Sequence, residues 1–163
     1  MSPKDALKLG INMSDYIVNS YIGDLSDADL MIRPVPGMNH IAWQLGHLIA
    51  AENRFVEMVS PGSSPVLPAG FEEAHSKETA KLDDPSKFAT LAKYQELWKA
   101  QRAATLKVLD SIPDAELGKT DPEKYPEWAP TTAALLGMAG THALMHCGQW
   151  VAVRRQLGKP VVI

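Results

Sequence analysis

The chain has 163 residues and a formal net charge of −3. This length can bury about two-thirds of the unfolded surface around one core, so we expect a single domain over residues 1–163. The acidic balance argues against nucleic-acid binding through a large basic patch.

Cysteine usage and apolar runs bear on the cellular compartment. The single cysteine, Cys147, excludes an intrachain disulfide framework and fits a reducing environment. No basic head precedes an apolar core at the N-terminus, and no apolar run approaches about 20 residues. We therefore expect a soluble, cytoplasmic protein with no membrane or nucleic-acid partner.

The first predicted helix extends from about Pro3 to Ile22. Ser2 suits its N-cap, Pro3 suits the first helical position, and Gly23 follows its end. A short helical turn capped by Ser26 follows, and the proline-rich segment 33–37 then ends it.

The second predicted helix has Asn39 as its N-cap and runs to about Val59. Residues 60–84 are then predicted to form a long connection with a short helix near 71–79. Long connections in compact domains are typically lids or linkers. His75 lies in this polar stretch and is predicted to be exposed to solvent.

The third predicted helix runs from about Pro85 to Ser111, with Asp84 as its cap. Residues 112–130 contain four prolines and cannot form a regular helix. The fourth runs from about Thr131 to Leu157, and Gly158 is its left-handed stop. Four helices with apolar stripes predict an all-α four-helix bundle with long connections at about 60–84 and 112–130.

Two histidines of the last helix carry the strongest chemical signal. His142 and His146 are four residues apart, so they project from one face, and apolar neighbours predict that this face is buried. Burying an unpaired polar group costs roughly 2–7 kcal/mol, so each ring needs a partner. His47, on the inner face of the second helix, supplies a third imidazole. Three imidazoles with an open position are typical of catalytic zinc, and the alternative is three core histidines bonded to protein groups.

The direction of the helices predicts where such a site opens. If helix directions alternate along the chain, the second and fourth helices run in the same direction. Segments 34–39 and 125–130 are then predicted to form the rim of the opening that leads to the three histidines. His40 lies seven residues before His47, roughly 10 Å along the same face. We therefore predict that His40 points towards a bound substrate and acts as a catalytic proton carrier.

Other polar and aromatic residues receive mostly structural interpretations. Glu52 is expected to pair with Arg54 or Arg102. Gln149 either holds a ligating imidazole or packs between helices. Cys147 is expected to be a buried filler, and Trp128 is a candidate pocket wall.

The proline-rich approach at 33–37, the segment from Asn39 to Leu48, and the closing His142-x-x-x-His146-x-Gly148-Gln149 resemble the DinB-like (DinB/YfiT) superfamily of metalloenzymes. The resemblance implies a four-helix bundle, often a homodimer. It also implies a divalent metal such as zinc or nickel, held by His47, His142 and His146.

Relatives of known activity include transferases and isomerases that use bacillithiol, mycothiol or glutathione, and N-terminal domains of ergothioneine-synthesising enzymes. The last group resembles His-x-x-x-His-x-Glu, whereas this chain has Gly148 at the final position, which argues against that role. The resemblance implies a small-thiol-dependent S-transferase, or a hydrolase, acting on a small molecule in stress or detoxification. The alternative is a non-catalytic helical dimerisation module, metal-binding or metal-free.

Overall fold

A computed structural model describes residues 1–161 of the chain. The regular structure in that range is helical, as predicted, apart from one isolated bridge between Thr120 and Thr131. The helices are α1 (Pro3–Ile22), α2 (Asp27–Leu30), α3 (Ile41–Val59), α4 (Phe71–Ala74), α5 (Leu91–Ser111), α6 (Asp114–Leu117) and α7 (Thr132–Gln156). Two short 3₁₀ turns cover Lys77–Thr79 and Pro85–Lys87. No helix within residues 1–161 is both long and apolar enough to cross a membrane.

Local capping signals define three of these helices where the sequence predicted them. Ser2 and Ser26 each form a capping box with an aspartate three residues later, at the starts of α1 and α2. Thr131 caps α7, and Gly158 follows that helix with a positive φ of 65°. The predicted ends of α1 and α7 are therefore confirmed to within one residue.

Two predicted helix starts are wrong. α3 begins at Ile41, because the His40 ring accepts the backbone N–H of Trp43 and so makes His40, not Asn39, the N-cap. The Asp84 cap starts only a 3₁₀ turn, which ends where Phe88 becomes extended. α5 starts later, at Leu91, with Thr90 as its cap.

The four long helices form a bundle in which α1 packs against α5 and α7, and α3 packs against the same two helices. The consecutive long helices α1 and α3 therefore occupy opposite corners. α3 and α5 run in the same direction, because Asn53 bonds Gln101, and Val56 shares an apolar cluster with Val108.

α3 and α7 run in opposite directions, so the prediction that they are parallel is wrong. Gln44, near the start of α3, bonds Trp150, near the end of α7. Phe55, near the end of α3, packs in one cluster with Leu135, near the start of α7. The physical reason is the long connection 60–90, which returns the chain along the bundle before α5 begins, so helix direction does not alternate.

The predicted shared rim is also wrong for this reason. Pro34 accepts a hydrogen bond from Gln156, at the end of α7. Trp128 packs against Phe55, at the other end of the α3/α7 pair. Segments 34–39 and 125–130 therefore lie at opposite ends of the bundle.

A buried polar brace crosses the centre of the bundle. Arg102 of α5 donates to the Ala139 carbonyl of α7 at 2.8 Å, and its Nε lies 3.3 Å from a carboxylate oxygen of Glu52 on α3. Thr105 donates to the same carboxylate at 2.5 Å. Desolvation raises the pKa of Glu52 despite the attraction of Arg102. The structural pairing predicted for Glu52 is thus with Arg102.

Candidate metal centre

The three predicted histidines meet on the flank of the bundle, where α3 passes α7. Ligand nitrogens of His47, His142 and His146 all lie within 4.8 Å of one another. The Nε2 atoms of His142 and His146 are 3.2 Å apart. Zinc–imidazole bonds of about 2.0–2.1 Å in tetrahedral geometry place two ligand nitrogens about 3.3–3.4 Å apart. The α7 pair therefore already has the spacing that one shared ion requires, and His47 is close beside it.

Local structure explains why these side chains converge. α7 has no proline inside it, so His142 and His146 keep the one-turn spacing that puts both rings on one face. His47 lies two turns into α3, on the face that meets α7. The antiparallel crossing brings the first third of α3 to the middle of α7, and this brings the three rings together.

A hydrogen-bond network fixes the tautomer of His146. The indole N–H of Trp150 can only donate, so the atom of Gln44 that it meets at 2.8 Å must be the amide oxygen. The same oxygen lies 2.8 Å from Nδ1 of His146, and the amide nitrogen donates to the Asn39 carbonyl at 2.5 Å. His146 therefore carries its proton on Nδ1 and presents a bare Nε2 lone pair to His142.

All three rings are neutral at pH 7. Desolvation, helped by the charge of neighbouring His142, lowers the pKa of His47 to about 4 and that of His146 to about 3. Desolvation and the charge of Arg54 also lower the pKa of His142. Neutral imidazole is the form that ligates a metal ion, so no proton has to be expelled first.

Trp43 sets the plane of the His47 ring. The two rings stack with centroids 4.8 Å apart and an interplanar angle of 9°. The indole N–H of Trp43 donates to the Ser76 carbonyl at 3.0 Å, so the segment after α4 holds the tryptophan in place. This segment therefore acts on the site through Trp43.

The electrostatic surroundings of the three rings are positive. Arg54 and Lys77 both lower the pKa of His47, and Arg54 also lowers that of His142. The candidate ligand set found in the described residues consists of three histidines, with no carboxylate. Such a set leaves the double positive charge of a divalent ion uncompensated.

His40 has a structural role that the sequence did not predict. Its ring is fully buried, Nδ1 accepts from the Trp43 backbone at 3.1 Å, and Nε2 donates to the Leu82 carbonyl at 3.0 Å. Both nitrogens are therefore engaged with protein groups. A catalytic role for His40 stays a prediction, and it would require one of these bonds to open.

The prediction that His75 is exposed to solvent is wrong. Nδ1 of His75 donates to the Phe71 carbonyl, and Nε2 accepts the Tyr94 hydroxyl, each at 2.7 Å. The ring is buried directly over Gly46 of α3. That glycine, in the interior of an otherwise strong helix, was the signal in the sequence that another group approaches the backbone closely.

The remaining site predictions have mixed outcomes. The hydrogen bond to the His146 ring comes from Gln44 of α3. The sequence analysis named Gln149 for this role, with packing between helices as the alternative. Cys147 is buried as expected, and desolvation raises the pKa of its thiol to about 12, so it is inert. Trp128 is 62% exposed and packs edge-on against Phe55.

Comparison with known proteins points to one family. The family model described as the DinB superfamily matches residues 17–150. One similar solved structure is described as the crystal structure of the conserved protein of locus from Enterococcus faecalis. It superposes with a TM-score of 0.71 at 19% identity and covers 98% of this chain and 99% of that chain. Identity at this level shows a shared fold. No curated protein matches the chain.

Proposed function

Because the chain belongs to the DinB superfamily, we propose that it is a metal-dependent enzyme whose His47, His142 and His146 hold one divalent ion, zinc or nickel. The proposed reaction is the transfer of a small thiol to an electrophilic small molecule, as in stress or detoxification. A reducing cytoplasm is the proposed location, because thiols persist there.

The tautomer of His146 is the observation that carries this proposal. A buried histidine with only a packing role is satisfied by any pair of protein partners. Here Gln44 holds the proton on Nδ1, and the bare Nε2 lies 3.2 Å from Nε2 of His142, a distance that suits both an N–H···N bond and two nitrogens that share one ion. The third imidazole, His47, has a nitrogen within 4.8 Å of both and favours the ion. Metal-ligating histidines in proteins typically have their other ring N–H bonded in this way.

The chemistry follows from the charge of the site. His47, His142 and His146 would hold a divalent ion through three neutral imidazoles, and such an ion would keep its full charge and lower the pKa of a thiol or a water molecule bound to it. The thiol proton passes to bulk water, which reaches the site because His47 and His142 are only partly buried. The sulfur then forms a new S–C bond while the bond from that carbon to its leaving group breaks. The leaving group departs with the bonding electron pair.

Individual side chains support this reaction by positioning the ligands. Gln44 orients His146, and Trp43 stacks on one face of the His47 ring and fixes its plane. A thiol requires no carboxylate base once its pKa is lowered to near neutrality. The candidate ligand set found in the described residues contains no carboxylate, which is consistent with this thiol chemistry.

Metal analysis of the full chain tests the metal part of the proposal. We expect about one zinc or nickel ion per chain after purification without a metal-binding tag. His47→Ala should weaken zinc binding by at least about a hundredfold in a competition titration, since it removes one of three ligands. Metal content that is unchanged by His47→Ala would contradict the three-ligand assignment.

Chelation separates the enzyme from the alternative of a non-catalytic module. An enzyme of this kind keeps its helical circular dichroism and loses activity when the ion is removed. Chelation lowers the melting temperature of a scaffold that is stabilised by metal, and it leaves a metal-free bundle unchanged. A thermal-shift screen of the metal-loaded protein against small thiols tests the transferase part. If no thiol binds or reacts, hydrolysis is the activity left for the site.

We also propose that the chain is a homodimer. α1 carries exposed apolar side chains at Leu9, Met13 and Tyr16, which form one stripe. Leu144 and Met145 continue this apolar surface onto α7, which packs along α1. A second copy of the chain is the proposed occupant, because two such α1/α7 faces can bury each other across a twofold axis.

A further inference from the structure

Residues 76–83 follow α4 and lie against the start of α3, and we call this segment the strap. We propose that His40 holds the strap in place and that protonation of its ring releases the strap in mildly acidic solution. The proposal requires no bound metal, so it does not rest on the proposed function.

Two side chains that precede α3 bind the second half of the strap. Arg33 donates to the carbonyls of Ala80 and Leu82, each at 3.2 Å. Nε2 of His40 donates to the same Leu82 carbonyl at 3.0 Å. The regular structure within the strap is one 3₁₀ turn, Lys77–Thr79, which is too short to be stable alone. The strap therefore keeps its place through these contacts with the start of α3.

The hydrogen bonds of His40 are compatible only with a neutral ring. The backbone N–H of Trp43 can only donate and the Leu82 carbonyl can only accept, so Nδ1 is bare and Nε2 carries the proton. A second proton on Nδ1 would face the Trp43 N–H, donor against donor, and would remove the N-cap of α3. Because the ring is fully buried, water cannot supply another acceptor. Protonation therefore requires the ring to leave this position and give up its contact with Leu82.

The charged and titratable groups around His40 do not favour an imidazolium at this position. Arg33 and Asp83 act on the ring in opposite directions and pair with each other, with Nη2 and Oδ1 2.8 Å apart. His75 lies on the other side of Phe88, and protein groups engage both of its ring nitrogens. Burial has the largest effect and lowers the pKa of His40 from its usual value of 6.5.

The direction of the pH effect follows from the two environments of the ring. A released ring is solvated and has the ordinary histidine pKa of about 6.5, whereas the pKa of the bound ring is lower. The released state therefore binds more protons, so the strap is held above pH 6.5 and is released progressively as the pH falls below it. If the bound ring stays neutral, release becomes roughly 25-fold more favourable between pH 7 and pH 5.

Release of the strap would reach the three-histidine cluster through Trp43. The Ser76 carbonyl of the strap accepts the Trp43 indole N–H at 3.0 Å, and the indole stacks on His47 with ring centroids 4.8 Å apart. Without this acceptor the indole loses its anchor, and the plane of the His47 ring is no longer fixed. The strap is therefore positioned to couple pH to the order of the cluster.

Hydrogen exchange of the full chain, followed by NMR, tests the inference. The Leu82 N–H, which bonds the Thr79 carbonyl, reports release of the strap, and amides in the middle of α7 report global unfolding. Protection factors are corrected for the intrinsic effect of pH on exchange. For the wild type we expect protection of Leu82 to fall about 25-fold or more between pH 7 and pH 5. Protection in α7 should fall much less.

Two variants separate titration of His40 from simple loosening of the strap. His40→Asn keeps an N-cap acceptor but has no titratable ring, so its fall in protection should be about 25-fold smaller than that of the wild type. The contribution of His75 is present in both proteins and cancels in this comparison. Arg33→Lys keeps the charge and loses carbonyl contacts, so the strap should be looser at every pH and retain the wild-type pH dependence.

The protonation state of the His40 ring provides a second measurement. Nitrogen NMR of the imidazole should show a neutral ring protonated on Nε2 at pH 7, which becomes charged over the pH range in which the strap is released. A ring that is charged or protonated on Nδ1 at pH 7 would overturn the proposal. The proposal is also wrong if His40→Asn keeps the wild-type pH dependence, if Arg33→Lys loses it, or if α7 loses protection together with the strap.

Discussion

One side-chain amide determines which nitrogen of His146 faces the site. The oxygen of Gln44 accepts two N–H groups, from Trp150 and from His146, and the amide nitrogen is held by the Asn39 carbonyl. The amide therefore cannot flip without placing donors against donors. Because Gln44 is fully buried, water cannot replace these bonds.

Replacement of Gln44 should weaken metal binding without removing a ligand. Gln44→Met keeps the length of the side chain and leaves the His146 and Trp150 N–H groups unpaired. We expect zinc affinity to fall about ten- to hundredfold in a chelator competition assay. Gln149→Met is the matched control on α7 and should bind zinc like the wild type. Equal losses in the two variants would contradict the role of Gln44.

At the scale of elements, the approach of the 71–79 segment to α3 requires a glycine. A Cβ atom on Gly46 would lie 2.1 Å from the ring of His75. That ring is held by hydrogen bonds to Phe71 and Tyr94, so it cannot rotate away without leaving buried polar groups unpaired. The same segment holds Trp43 against His47, so this packing supports the three-histidine cluster.

Two glycine-to-alanine variants should therefore have opposite effects on stability. Gly46→Ala should lower the free energy of unfolding by about 1–3 kcal/mol, the usual range for overpacking a core. Gly148→Ala should raise it by up to about 1 kcal/mol, because no atom lies within 4 Å of the added Cβ and alanine favours helix. Urea unfolding measures both. A stabilised Gly46→Ala protein would show that His75 does not occupy this position.

The relative directions of the four long helices depend on contacts across the whole molecule and are not determined by local sequence patterns. α1 and α7 point one way, because Gly10 approaches Gly140 while Asp24 bonds Arg154. α3 and α5 point the other way. This arrangement leaves the outer surfaces of α1 and α7 side by side, and it places the apolar stripe of α1 next to Leu144 and Met145.

A charge placed in that stripe should separate a homodimer. Met13 is 49% exposed, so Met13→Glu costs the monomer little and introduces two carboxylates into the proposed interface. We expect sedimentation to show a dimer for the wild type and a monomer for Met13→Glu. Val66→Glu, at an apolar residue that is 95% exposed in the 60–90 connection, should stay dimeric. Identical masses for the wild type and Met13→Glu would contradict this interface.

Most of the helical structure, and the identity of the clustered histidines, could be predicted from the sequence. Capping at Ser2, Ser26 and Thr131 depends on residues within one turn, so local chemistry determines where those helices start. The shared face of His142 and His146 follows from the helical period alone. Such features require no knowledge of distant parts of the chain.

The remaining features depend on contacts between residues that are far apart in sequence. The sequence could not show that the 60–90 connection reverses the expected direction of α5 and α7, because a long loop can return the chain to either end of a bundle. It also could not show that His75 packs over Gly46 or that Gln44 meets His146 across 102 positions. Local propensity determined which segments are helices and which faces are apolar. Tertiary packing alone decided which buried polar groups became partners, because each had to find a donor or acceptor on another helix.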